Sequence, residues 1–99
     1  MKDLEVWRKR IDKIDLKLVK LLNERALCAR EIGKIKLELG LDAYTPEREE
    51  EVMQNVISGG QGPLSAEALR RLYERIIDES RSVERLFMDS QKKKRKGHS

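Results

Sequence analysis

Arg25 interrupts an apolar ladder. Steps of three and four residues from Leu4 pick out Trp7, Ile11, Ile14, Leu18, Leu21, Arg25, Cys28, Ile32, Ile35 and Leu39, and ten of those eleven positions are apolar. A guanidinium buried without a partner costs several kcal/mol, so something anionic should meet it. Ser80 breaks a second ladder, Leu69, Leu72, Ile76, Ser80, Val83, Phe87, in the same way, and Glu84 follows one turn later. Lys36, Arg48 and Glu49 are the other polar groups able to face the same interior. The set is rich in cations and holds no histidine and no serine beside an activating base. Nucleophilic chemistry therefore lacks its parts. Binding of a small dianion, with catalysis by electrostatics and shape, is what these residue types can do. Each also has a plainer reading: Arg25 as an internal ion pair or register-fixing seam residue, Ser80 as a hydroxyl bonded to the carbonyl one turn back, and the rest as solvated surface charges.

Three helices must position these groups. Asp3 to Leu39 reads as one long amphipathic helix with a coiled-coil-like seam, because charged residues fill the intervals and no Gly or Pro occurs before Gly33. At 1.5 Å per residue it is roughly 54 Å long, more than the rest of a 99-residue chain can cover, so a partner chain is expected. Arg25 and Lys36 are about 16 Å apart along that helix, within joint reach of one ligand, whereas Arg8 lies roughly 25 Å from Arg25. Antiparallel twofold pairing about a midpoint near residue 21 would set Arg8 of the second chain opposite residue 34, between Arg25 and Lys36. A homodimer would then build two identical sites, each with one cation from the other chain.

Gly40 is a natural end for the first helix. Thr45-Pro46 reads as N-cap and first helical residue, with Glu47 at the positive end of the helix. The second helix presents Val52, Met53, Val56 and Ile57 on one face and stops at Ser58-Gly59-Gly60-Gln61-Gly62-Pro63. Ser65 caps the third, with Leu64 and Leu69 as its hydrophobic staple, and that helix is expected to run to about Ser90. The architecture is all-α: long, short, long.

The chain carries 38% hydrophobic and 40% charged residues with four aromatics, which fits one helical domain with a modest core. Its net charge of +4 is uneven: Lys92, Lys93, Lys94, Arg95 and Lys96 supply five of the 22 basic residues, leaving 17 against 18 acidic ones elsewhere. The body is thus no nucleic-acid surface by charge. The basic run reads as a disordered, solubilising tail; a contact with RNA, an acidic partner or a membrane surface is the alternative, and RNA binding would be salt-sensitive and abolished by deleting residues 92–96. No apolar run approaches membrane-spanning length and no signal-peptide core opens the sequence, so a soluble cytoplasmic protein is expected. Cys28, the one cysteine, reads as a buried structural thiol. The one histidine, His98, lies in the tail, so no metal or cofactor is expected.

The order Arg8-x-x-Ile11-x-x-x-Asp15, Leu22-x-Glu24-Arg25, Ile32-Gly33-x-x-Lys36, Tyr44-Thr45-Pro46-x-Arg48-Glu49, Ile76-Ile77-x-x-Ser80-x-x-x-Glu84 resembles the all-helical chorismate mutases, from about Leu4 to Phe87. The resemblance implies an intertwined three-helix homodimer; residues 1–90 are expected to form the domain, and the basic run places 91–99 in a tail. It also implies rearrangement of chorismate to prephenate on the way to phenylalanine and tyrosine. By resemblance, Arg25 and Arg8 of the partner chain clamp the carboxylates with help from Ser80. Lys36 donates to the ether oxygen and a carboxylate, Arg48 orients the site, and Glu49 accepts from the ring hydroxyl. Thr45 stands where many members have Asp. Glu84 stands on the ether oxygen where members have Gln or Glu, and an ionised carboxylate there would repel developing charge, so it should act when protonated. Lys36, Glu84 and Arg25 are the catalytic candidates. The rival readings are an isochorismate pyruvate-lyase, separable by product analysis, a non-catalytic sensor of chorismate or prephenate, separable by turnover, and a coiled-coil scaffold, which gains nothing from Arg25 and Ser80.

Overall fold

The computed structural model describes residues 2–97, with side chains from 3 to 94. Three helices follow in order: α1 (Lys2–Leu39), α2 (Pro46–Gly59) and α3 (Ala66–Gly97). Their ends follow local chemistry. Gly40 takes φ +70°, and Leu41 N donates to Lys36 O at 2.8 Å while Gly40 N donates to Leu37 O at 3.3 Å, the paired bonds of a Schellman motif. Ser65 caps α3, its Oγ accepting from Ala68 N at 3.1 Å. Leu69 reaches back to Gly60, where an added Cβ would lie 2.5 Å from Leu69 Cδ1; Leu64, its expected staple partner, is half exposed.

Three expectations change. Thr45 occupies the N-cap position of α2 but makes no side-chain capping bond; its hydroxyl oxygen accepts from Lys36 Nζ instead. The third helix continues through Lys92–Lys94 to Gly97 rather than ending near Ser90; no Gly or Pro interrupts it before Gly97, and lysine and arginine are good helix formers at the negative end of a helix. The last part of the expected tail, His98 and Ser99, lies outside the described residues. On α3 the buried positions are Ile77 and Met88, while Leu72 of the expected ladder is half exposed.

The packing leaves a gap. α3 runs in the same sense as the second half of α1, so that Arg25 meets Ser80 and Gly33 abuts the Glu84 backbone. α2 returns along the other side of α3, with Glu49 opposite Arg81. Both α1 and α2 pack on α3 but not on each other. Among the described residues the buried apolar side chains are few, Ala29, Met53, Ile77 and Met88, and all of residues 3–24 are exposed. The seam residues Leu4, Trp7, Ile11, Ile14, Leu18 and Leu21 are 48–58% exposed in the single chain. The body measures 66 × 27 × 15 Å with a radius of gyration of 17.8 Å, against about 13 Å for a compact domain of this length.

Candidate active site

The gap between α1 and α2, floored by α3, is a cleft of about 350 Å³. α1 lines it with Arg25, Cys28, Ala29, Ile32 and Lys36; the connection to α2 adds Thr45; α2 adds Arg48, Glu49 and Val52; α3 adds Ile77, Ser80, Arg81 and Glu84. Cys28 is exposed here rather than a buried thiol, because the seam around it has no cover in the single chain.

The two polar residues that interrupt apolar ladders meet each other. Arg25 Nη1 donates to Ser80 Oγ, which gives each a partner and leaves most of the guanidinium donors for something else. Lys36 Nζ donates to Ala43 O at 2.8 Å, Thr45 Oγ1 at 2.9 Å and Glu84 Oε1 at 2.7 Å. The Lys36–Glu84 pair is largely buried, at 15% and 12% side-chain exposure. Arg48 forms an ion pair with Glu51 at the exposed rim; such i,i+3 surface pairs contribute well under about 1 kcal/mol, so Arg48 is readily turned toward a ligand.

Arg81, which no feature of the sequence singled out, holds Glu49 from two sides: Nε to Oε2 and Nη2 to Oε1, both at 2.8 Å. The hydrogen bonds it donates to Glu49 outweigh partial desolvation and raise the Arg81 pKa above the ordinary arginine value, so its charge is permanent. The cleft thus carries four cations, Arg25, Lys36, Arg48 and Arg81, against two carboxylates, Glu49 and Glu84. With Glu84 paired to Lys36 and Glu49 to Arg81, the charge left over sits on Arg25 and on Arg48, the latter offset only by its exposed pair with Glu51. Val52, Ile77, Ala29 and Ile32 add apolar lining from all three helices, suited to a carbon ring. Such an arrangement can hold a small dianion in one conformation and donate hydrogen bonds to it.

The sequence pattern of the family Chorismate mutase type II matches residues 7–85. The chain belongs to the type II chorismate mutase family. It is 38% identical over 89 residues to a bifunctional chorismate mutase/prephenate dehydratase of Aquifex aeolicus, covering 86% of this chain and 25% of that protein. The chain therefore spans about a quarter of the length of the curated bifunctional relatives it matches. A chorismate mutase of Methanocaldococcus jannaschii is 41% identical over 49 residues, half of each chain. Among solved structures, a chorismate mutase (form II) from Thermus thermophilus superposes with a TM-score of 0.81 at 34% identity, covering 83% of this chain and 93% of that one.

Seven of the residues expected in a chorismate mutase site, Arg25, Lys36, Thr45, Arg48, Glu49, Ser80 and Glu84, line this one cleft. The eighth, Arg8, does not. It lies on the projecting first half of α1, exposed and 3.2 Å from Glu5. Arg81 had no signal in the sequence: on a helix crowded with charge, nothing in its spacing distinguishes it from solvated neighbours. Among the described residues no group of three His, Cys, Asp or Glu is placed to hold a metal ion, and no helix is long and apolar enough to cross a membrane.

Proposed function

We propose that this chain, as a cytoplasmic homodimer, rearranges chorismate to prephenate. The observation that carries the proposal is the convergence of seven residues from three helices and one connection on a single cleft with surplus charge on Arg25 and Arg48. The reaction is a unimolecular Claisen rearrangement, in which one C–O bond breaks as a C–C bond forms, with no covalent intermediate and no net proton transfer. An enzyme needs only to hold the dicarboxylate in a chair-like conformer and stabilise charge growing on the ether oxygen. Arg25, with Ser80 beside it, and Arg8 of the partner subunit grip the carboxylates through the planar guanidinium fork. Lys36 donates to the ether oxygen, Glu84 donates to it when protonated, and Glu49 accepts from the ring hydroxyl. Thr45 holds the Lys36 ammonium, and Arg48 orients the ligand from the rim.

The homodimer is supported by the half-exposed seam of α1 and the elongated body. Two copies crossing head to tail would cover that seam and bring Arg8 toward the neighbouring cleft. The test is consumption of chorismate, with product identification, by wild type and Arg25→Ala. Wild type should yield prephenate and the variant should lose about 100- to 1,000-fold in kcat, the cost of one pre-organised donor. No turnover by wild type, or turnover of isochorismate to pyruvate in place of prephenate formation, would contradict the proposal.

A further inference from the structure

Arg81 ties three parts of the chain together at the edge of the cleft. From α3 it reaches Glu49 of α2 through two bonds of 2.8 Å and Asp78 Oδ1 through a third of 2.8 Å, and its guanidinium lies over the Tyr44 ring, 5.1 Å from the centroid. We propose that Arg81 is a positioning residue that fixes the Glu49 carboxylate as an oriented acceptor for the hydroxyl of the bound dianion. The inference rests on the functional reading above and extends it to a residue that reading does not use.

The geometry gives two reasons. A carboxylate held by both oxygens in a planar fork cannot rotate, yet each oxygen keeps a second lone pair, so Glu49 remains able to accept from a ligand in a fixed direction. An unpaired carboxylate lining the cleft would repel a doubly negative guest, and at 24% and 22% side-chain exposure that repulsion would be only partly screened. Arg81 removes the repulsion without removing the acceptor. Asp78 and the Tyr44 ring hold Arg81 in turn. Lysine lacks the fork, so charge alone would not suffice.

A double-mutant cycle tests this with chorismate as substrate, measuring kcat and KM for wild type, Arg81→Met, Glu49→Gln and the double variant, with circular dichroism to establish folding. Arg81→Met should raise KM about tenfold, the size expected when one charge-assisted hydrogen bond is removed, with a smaller effect on kcat. In the Glu49→Gln background the same change should alter KM less than about threefold, since the carboxylate it holds is gone. Arg81→Lys should resemble Arg81→Met, and it carries the cycle should the methionine variant fail to fold. Equal KM costs in both backgrounds, or full recovery by lysine, would overturn the inference while leaving chorismate turnover intact. A wild-type chain without turnover would overturn the functional reading and this inference together.

Discussion

Lys36 has three ammonium protons and, in the free cleft, three acceptors for them: Ala43 O, Thr45 Oγ1 and Glu84 Oε1. A ligand oxygen that takes one of those protons must displace one acceptor, and Glu84 is the one that gains from letting go. Once protonated it can donate to the same ether oxygen; ionised, it would face growing negative charge. Glu84→Gln removes that carboxylate charge and supplies an amide donor beside Lys36, so its kcat should equal or exceed that of wild type. A kcat for Glu84→Gln well below that of wild type would remove Glu84 from the ether oxygen. Residues of this site differed in how far the sequence revealed them. Arg25 and Ser80 stood out because each breaks an apolar ladder, and they proved to be each other's partner. Thr45 was legible as a helix start but not as the acceptor for Lys36, and Arg81 was not legible at all, because its role depends on Glu49, 32 residues away.

The helices were legible where local chemistry ends them and less so where packing decides. Gly40 and Ser65 terminate and start helices as their types dictate, while α3 ran past Ser90 because nothing in the basic run stops a helix. The face of α3 that is buried, centred on Ile77 and Met88, is rotated from the expected ladder since α3 packs on two helices at once, which leaves Leu72 of that ladder half exposed. Gly33 shows how closely α1 and α3 approach: an added Cβ would lie 3.1 Å from Glu84 Cα and 3.2 Å from Glu84 O. Those are backbone atoms and cannot swing aside, so Gly33→Ala must part the helices by a few tenths of an ångström and carry Glu84 with α3. Overpacking costs about 1–3 kcal/mol, more than the roughly 1 kcal/mol that alanine gains over glycine in a helix. Urea denaturation should show a net loss of stability together with a lower kcat. A variant as stable as wild type with kcat unchanged would mean that the close approach positions nothing.

At the scale of the molecule, the long rod was legible from its seam, and so was its need for cover; the single chain leaves residues 3–24 exposed and Arg8 paired only with Glu5. The central claim is that each cleft is completed by an arginine from the other chain. Co-refolding equal amounts of Arg8→Ala and Arg25→Ala chains tests it most directly. Each variant alone lacks one cation in both sites and should be nearly inactive. Random pairing makes half the dimers mixed, and a mixed dimer regains one intact site of two, so the mixture should recover about a quarter of wild-type chorismate turnover. Activity no higher than the mean of the two separate variants would contradict a shared site.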